Sequence, residues 1–174
     1  CLDVVQPFDL GKRAGDIRIA SLNTLKQGAA SPSRGPSIRS LFEVADADIY
    51  CFNESLEEDI FRSTCREVLP DSFSQTDNLH WSSTSGIVSR FPLTPLAFDS
   101  EEASALIRIP EKGFVVVISA HFKCCGYSGS REDNRRVEEV QLLLADLQRM
   151  RDGKFGPDAA GARVIVLGDF NLVG

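Results

Sequence analysis

The chain has 174 residues, of which 43% are hydrophobic and 25% are charged, with a formal net charge of −6. These values suit one globular domain with its own core and exclude a disordered chain. The acidic balance argues against a protein that coats nucleic acid through a basic face, although a local cation can still bind a phosphate. The longest apolar run, Phe114 to Ile118, is too short to cross a bilayer, so we expect no membrane-embedded segment.

The first half of the chain alternates strand-like and helix-like segments. The alternating apolar and polar residues from Ile17 to Leu22 predict a strand that ends at Asn23. A loop rich in breakers, Ser31 to Pro36, precedes a predicted helix that begins with Ser37 as its cap and ends at Ala45. The next predicted elements are a strand from Asp48 to Asn53 and a helix from Leu56 to Leu69 that stops at Pro70-Asp71.

The second half is predicted to contain a hairpin and one long helix. Turn residues Pro110 to Gly113 separate the strands Ala105 to Ile109 and Phe114 to Phe122. The helix Arg131 to Arg151 has an apolar stripe formed by Val137, Val140, Leu144, Leu147 and Met150. The remaining predicted strands are Ser85 to Arg90 and Arg163 to Leu167. This mixed order favours two sheets with helices outside over a simple doubly wound parallel sheet.

The five cysteines follow no zinc-binding spacing, and their odd number leaves at least one thiol unpaired within the chain. Cys51 lies in an apolar strand and is expected to be a small core residue. Cys65 is the cysteine of the predicted second helix. The adjacent Cys124 and Cys125 either pair with a distant cysteine of an exported protein or pack under a loop. Cys1 indicates a processed or cut amino end, and it is also the residue that a mature lipoprotein begins with, which favours a periplasmic or extracellular protein.

Polar side chains follow four of the predicted strands: Asn23, Glu54, His121, and Asp169 with Asn171. Taken singly, Asn23 is explained as a turn former and Glu54 as a charge favoured at a helix start. His121 is explained as a strand histidine whose hydrogen bonds are satisfied. Their occurrence at equivalent places instead indicates a functional site, because functional groups collect where strands deliver loops to one edge of a scaffold. In an extended segment, Asp169 and Asn171 point to one side and Phe170 to the other, and Gly168 lets the backbone turn.

Five segments together resemble the successive motifs of the endonuclease/exonuclease/phosphatase superfamily, which has the deoxyribonuclease I-like fold. They occur in that family's order between about residues 17 and 174: Ile19 to Asn23, Asp48 to Glu54, Ser85 to Leu93, Ile118 to Phe122, and Gly168 to Asn171. The resemblance implies a four-layer αββα sandwich, in which two mixed β-sheets lie face to face between outer helices. It also implies cleavage of phosphoester bonds with a divalent metal, Mg²⁺ or Mn²⁺.

The resemblance further implies roles for the residues at the strand ends. Glu54 matches the metal-binding carboxylate, although Asn53 stands where glutamine is commoner, and Asn23 matches the asparagine that holds the network around the metal. Asp169 and Asn171 match the pair that positions the attacking water and contacts the phosphate, and His121 matches the position beside the scissile phosphate. Oxygen ligands of this kind suit Mg²⁺, which needs only one or two carboxylates in addition to water and substrate.

Basic residues near His121 are candidates for substrate binding. Lys123, Arg135 and Arg136 are candidates to contact phosphate from the loop and the start of the long helix, but for the two arginines a solvated helix face is the favoured interpretation. The substrate is expected to be a phosphate ester, with nucleic acid as the first choice. A nuclease-type phosphodiesterase is therefore favoured, and a phosphatase, a sphingomyelinase-like phosphodiesterase or an inactive binding module on the same fold are the alternatives.

One family motif does not occur in the sequence. The family ends with an aspartate and a histidine, but the only histidine here besides His121 is His80, which lies in the middle of the chain. We therefore expect residues 1–174 to be one domain of this family that lacks its C-terminal portion. An inactive relative is the alternative explanation.

Overall fold

The computed structural model describes residues 11–26, 28–55, 57–69, 73 and 78–172. Within these ranges the strands are β1 (Ile19–Asn23), β2 (Ile49–Asn53), β3 (Leu79–Ser82), β4 (Ser85–Ser89), β5 (Leu93–Pro95), β6 (Ala103–Ile109), β7 (Gly113–His121) and β8 (Arg163–Asp169). The α-helices are α1 (Gly35–Ala45), α2 (Glu58–Val68), α3 (Arg131–Arg151) and α4 (Pro157–Gly161), and a 3₁₀ turn spans Gly28–Ala30. No helix in this part of the chain is both long and apolar enough to span a membrane.

The strands form two mixed sheets of four strands each. The first has the order β1-β2-β4-β3, with β1 parallel to β2 and the other neighbours antiparallel. The second has the order β5-β6-β7-β8, with β7 parallel to β8 and the other neighbours antiparallel. Each sheet therefore carries one parallel pair, and in each pair the strands end at the same edge.

The two sheets pack face to face and each is covered by helices on its outer side. Alternate residues of β2 separate the layers, because successive side chains of a strand point to opposite faces. Ile49 and Cys51 lie in the core between the sheets, whereas Tyr50 and Phe52 pack against residues of α1 and α2. The helices α3 and α4 cover the second sheet, with Leu143, Met150 and Ala159 in that core. This arrangement is the predicted four-layer αββα sandwich.

Most predicted elements are present with bounds shifted by one or two residues, but the start of α1 was predicted wrongly. The helix begins at Gly35, and Ser37 lies in its first turn instead of capping it. Pro36 fits this turn because its fixed φ suits a helix and its missing N–H costs nothing there. Three expected features, Cys1, Leu56 and the helix stop at Pro70-Asp71, lie outside the described residues.

The buried face of α3 also differs from the predicted stripe. Leu143 and Met150 are buried, but Val137, Val140 and Leu144 are 52%, 38% and 59% exposed. The helix is turned so that the carboxylate of Asp146 faces inward, where it accepts hydrogen bonds from the backbone N–H groups of residues 99 and 100 at 3.1 and 2.8 Å. A satisfied polar group therefore occupies part of the face that periodicity assigned to apolar residues.

The four described cysteines are free thiols in two different environments. Cys51 is buried in the core, as predicted, and Cys65 is buried on α2. Cys124 and Cys125 are exposed, so neither of the two expected arrangements, pairing with a distant described cysteine or packing under a loop, is present. The thiols of this pair contact each other instead, with their sulfur atoms 2.9 Å apart.

Gly168 is needed for close contact between β7 and β8. It lies opposite Ala120 in the parallel ladder, with a φ of 138°. A Cβ atom at Gly168 would overlap the carbonyl oxygen of Ala120 and lie 2.9 Å from its nitrogen. Both the backbone conformation and the available space therefore require glycine directly before Asp169.

We predict that Gly168→Ala lowers the free energy of unfolding by about 3 kcal/mol, because backbone atoms of β7 must move to admit the methyl group. Urea unfolding measures this difference. Gly161→Ala is the matched control, since a Cβ there meets nothing within 4 Å and alanine favours a helix. Equal stabilities of the two variants would contradict the close packing of β7 on β8.

Candidate active site

The side chains of the candidate site meet where the two parallel strand pairs end. In the first sheet the register places Asn23 of β1 beside Asn53 of β2, directly before Glu54. In the second sheet it places His121 of β7 beside Asp169 of β8. Because the sheets are stacked, both pairs deliver their side chains to one end of the sandwich.

The amide of Asn23 joins carboxylates from both sheets. Its Nδ2 donates to Glu54 Oε1 and to Asp169 Oδ2, each at 2.9 Å. Its Oδ1 accepts the backbone N–H of Leu25 at 2.8 Å, which fixes the orientation of the amide. Two carboxylates are therefore held close together by donors on a single nitrogen atom.

Glu54 is held in place by its backbone as well as by Asn23. Its φ of 59° lies in the left-handed region, which is costly for a residue with a Cβ atom. The second carboxylate oxygen, Oε2, accepts the backbone N–H of Lys26 at 2.9 Å. A strained backbone at a residue with such defined partners is typical of functional positions.

Asp169 and Asn171 are brought together by a turn, so the extended geometry expected from the sequence is wrong. The strand β8 ends at Asp169, and Asn171 has a left-handed φ of 47°. The backbone N–H of Asn171 donates to Asp169 Oδ1 at 3.0 Å, and Asn171 Nδ2 donates to the carbonyl of Phe122 at 2.9 Å. Phe170 packs on Phe122.

Asn53 connects the two sheets directly beneath the site. This fully buried side chain donates to Ser85 Oγ, Ser119 Oγ and the carbonyl of Ala120 at 3.0, 3.3 and 3.1 Å. Its Oδ1 accepts the backbone N–H of Asp169 at 3.1 Å. One amide of β2 thereby fixes the position of both β7 and β8.

His121 lies beside this network and is oriented from two directions. Its Nδ1 is 3.0 Å from the hydroxyl of Thr84, at the turn before β4. Its backbone N–H donates to Glu102 Oε2 at 2.9 Å. These three residues line a polar cavity of about 140 Å³ together with Arg135 and Glu139.

Glu102 is a buried carboxyl group in the wall of this cavity. Burial raises its pKa from an ordinary value of 4.5 to about 7, against the opposing effect of the hydrogen bond from His121. The nearby charges of Glu139 and Glu101 raise the pKa further. The carboxyl group therefore changes its charge near neutral pH, next to the candidate histidine.

The three basic residues predicted to bind substrate have different surroundings. Lys123 and Arg135 line an open depression of about 500 Å³ together with Arg131 and Glu132. Arg136 is only 5% exposed, and its guanidinium group donates to the carbonyls of Lys123 and Cys125 at 2.8 Å each. Arg136 therefore holds the loop after β7. The prediction that Arg136 lies on a solvated helix face is wrong.

His80 lies on β3, away from the hydrogen-bond network of the site. Its pKa is lowered chiefly by burial, with opposing smaller effects from Glu58 and Arg62 of α2. Leu79 and Trp81 pack on the helix side of the sheet, so His80, which lies between them on β3, points to the opposite face, like its partner Ile87.

The chemistry of the site suits a hard divalent cation. The described residues include no group of three or more His, Cys, Asp and Glu side chains that could hold a metal. Mg²⁺ needs fewer protein ligands, because it keeps several waters and uses one or two carboxylates with substrate phosphate. Glu54 is placed to supply such a carboxylate, with Asp169 beside it, and neither forms a salt bridge with a basic side chain in the described part of the chain.

Comparison with solved structures identifies the fold. The chain is similar to sphingomyelinase C from Streptomyces griseocarneus, with 14% identity and a TM-score of 0.54 over 90% of this chain. It is similar to truncated TDP2 from Caenorhabditis elegans, with 15% identity and a TM-score of 0.51 over 80% of this chain. It is also similar to an endonuclease/exonuclease/phosphatase from Beutenbergia cavernae, with 14% identity and a TM-score of 0.50 over 90% of this chain.

These likenesses show that the chain has the fold of the endonuclease/exonuclease/phosphatase proteins, as its motifs predicted. The chain spans 64%, 55% and 47% of the lengths of the three structures. No family model matches the sequence. No curated protein matches it either.

Sequence reasoning missed three residues that orient the site. Asn53 was noted only as a departure from a motif, although a buried amide at the end of an apolar strand is a signal for a structural hydrogen bond. Thr84 comes close to His121 only because the two sheets are stacked, and Glu102 does so because β6 pairs with β7. The local sequence of neither residue gives a sign of this contact. The other predicted residues, Asn23, Glu54, His121, Asp169 and Asn171, are all brought to one end of the sandwich.

The raised pKa of Glu102 predicts a specific pH dependence of stability. Between pH 4.5 and about 7 the folded protein keeps a proton that the unfolded chain releases, so stability falls as pH rises. Glu102→Gln keeps an acceptor for the N–H of His121 but has no proton to lose. As the pH rises from 5 to 8, the parent should lose about 2 kcal/mol of unfolding free energy that the variant keeps. Urea unfolding at the two pH values measures the loss, and a constant difference would show that Glu102 ionises normally.

Proposed function

We propose that this protein hydrolyses phosphodiester bonds with a divalent metal ion, Mg²⁺ or Mn²⁺, at the site formed by Asn23, Glu54, His121, Asp169 and Asn171. The observation that carries the proposal is the Asn23 amide, whose Nδ2 lies 2.9 Å from carboxylate oxygens of both Glu54 and Asp169. Neighbouring carboxylates repel each other unless a cation neutralises them. No lysine or arginine side chain among the described residues forms an ion pair with either one.

Glu54 is the residue proposed to hold the metal, which when bound neutralises charge on the phosphate. Asp169 is proposed to accept the proton of the attacking water through a carboxylate oxygen. Its orientation for this role is fixed by Asn23 on Oδ2 and by the backbone N–H of Asn171 on Oδ1. A base held by two hydrogen bonds keeps the water aligned for in-line attack without reorganising.

His121 is proposed to stabilise the phosphate from the other side. In its protonated form, Nδ1–H donates to the hydroxyl of Thr84, 3.0 Å away, and Nε2–H is directed away from this partner. A donor fixed in this way suits a non-bridging oxygen that gains charge in the transition state. The Thr84 contact thus acts on the orientation of the ring and not on the substrate itself.

The substrate class that we favour is nucleic acid. Lys123, Arg131 and Arg135 surround the depression of about 500 Å³, and Arg135 also lines the cavity next to His121. These cations offer contacts to phosphates that flank the scissile bond, although Glu132 lines the same depression and Arg135 also pairs with Glu138 and Glu139. A sphingomyelinase-like phosphodiesterase is the second candidate, because the fold is similar to that of sphingomyelinase C.

The domain itself is proposed to continue beyond the described residues. Among the strands of the described residues, β8 lies at an edge of the second sheet. Next to it, Val137, Val140, Val166, Phe170 and Leu172 line an apolar depression of about 520 Å³. Further polypeptide packed here would complete the sheet and could bring the aspartate and histidine that the resemblance implies. The activity proposed above therefore refers to the whole protein.

The proposal predicts hydrolysis by the whole protein that needs Mg²⁺ or Mn²⁺ and stops when EDTA is added. We expect Glu54→Gln and Asp169→Asn each to lower the rate at least about a hundredfold, because each removes a charged group from the reacting centre. Glu43→Gln, an exposed carboxylate on α1, is the matched control and should keep full activity.

The measurement uses a panel of DNA, RNA, sphingomyelin and a phosphate monoester. Cleavage of DNA or RNA supports the nuclease-type assignment, and cleavage of sphingomyelin or the monoester alone replaces it with a lipid phosphodiesterase or a phosphatase. Absence of metal-dependent cleavage across the panel, with the whole protein folded, would favour a binding module instead.

A further inference from the structure

Cys124 and Cys125 form an exposed pair of thiols at the start of the loop after β7. Their sulfur atoms are 2.9 Å apart, and both residues are exposed. The hydrogen bond with Cys124, together with the charge of that neighbour, raises the pKa of Cys125. The two sulfurs are therefore close enough to interact and accessible to a reagent from solution.

The loop holds both sulfurs on the outside of the protein. Cys125 and Gly126 have left-handed φ angles of 73° and 80°, so the chain turns sharply at this point. Arg136 binds the carbonyls on both sides of Cys124, and the backbone N–H of Lys123 donates to Glu139 Oε2 at 2.7 Å. The backbone around the pair is thus anchored to α3, whereas the thiols themselves are left in solvent.

We propose that Cys124 and Cys125 are a thiol–disulfide exchange site, which a low-molecular-weight disulfide closes into a disulfide between the two adjacent residues. In the first step the thiolate of one cysteine attacks the small disulfide, forms a mixed disulfide and releases one small thiolate. In the second step the other cysteine attacks the protein sulfur of the mixed disulfide and releases the second small thiolate. The protein loses two electrons and two protons, and the small disulfide is reduced to two thiols.

The closed form should be easy to reduce. Consecutive Cα atoms are about 3.8 Å apart, which is shorter than the roughly 4.4–6.8 Å that disulfides usually span. A bond between adjacent cysteines is therefore strained, and strained or exposed disulfides are the labile ones. This property suits a reversible modification more than a structural link.

The modification should be confined to this pair among the described cysteines. Cys51 and Cys65 are 1% and 6% exposed, and burial raises the pKa of both thiols. Buried thiols react slowly because a reagent in solution cannot reach them and burial disfavours the thiolate, which is the nucleophile. The loop also carries Lys123, two residues after His121, so the site is close to the candidate active site without sharing its residues.

The test treats the folded protein with oxidised glutathione, in a Cys1→Ser background because Cys1 lies outside the described residues. Trypsin cleavage after Lys123 and Arg131 releases the peptide Cys124 to Arg131, which contains both cysteines and no other. We expect mass spectrometry to show that this peptide has lost two hydrogen atoms. Reduction with dithiothreitol should restore its original mass. Peptides that contain Cys51 or Cys65 should be unchanged.

Cys124→Ser and Cys125→Ser are the matched variants, and each should stop at the mixed disulfide with glutathione. Both replace exposed side chains, and circular dichroism is the check that each variant folds. Three results would overturn the proposal: two glutathione adducts on the parent peptide, a disulfide between two chains, or oxidation of Cys51 and Cys65 at the same rate. None of these results depends on whether the protein hydrolyses phosphate esters.

Discussion

The site depends on one buried amide that joins the two sheets. Asn53 lies at the end of β2 and bonds to Ser119 and Ala120 of β7 and to the backbone N–H of Asp169 in β8. A buried amide is stable only when its hydrogen bonds are satisfied, so its partners cannot shift independently. Glu54 follows Asn53 directly, and the geometry that relates Glu54 to Asp169 is therefore set by the packing of the sandwich.

The same construction explains why a protein with a net charge of −6 can place a phosphate site at one end. Asn23 holds the two carboxylates together from within, whereas Lys123, Arg131 and Arg135 lie at the outer rim. The inner zone is therefore acidic, whereas the outer zone carries these three cations beside Glu132. A cation suits the inner zone, and the phosphates of an extended substrate suit the outer one.

The sequence predicted the ordered strand ends and the layer architecture because both follow from short patterns: apolar strands, turn residues and polar groups directly after them. The edge strands β3 and β5 were not predicted, since they are short and only partly buried. The predicted stripe of α3 was right at Leu147 and Met150 but wrong at Val137, Val140 and Leu144. Buried Asp146 takes part of this face through a partner 47 residues away, which periodicity cannot reveal. Thr84 and Glu102 were missed for a similar reason, because their contacts with His121 depend on the stacking of the two sheets and on the register of β6 with β7.

The most direct test of the account is to locate a bound metal by nuclear magnetic resonance, since Mn²⁺ broadens the signals of nearby nuclei. At substoichiometric Mn²⁺ the account predicts selective loss of the side-chain amide signals of Asn23 and Asn53, with the Gln148 signal on α3 unchanged. Replacing Glu54 by glutamine should restore the lost signals. Broadening centred on the acidic residues Asp46 and Asp48, where β2 begins, or equal broadening of all amides would contradict a metal site between the two sheets.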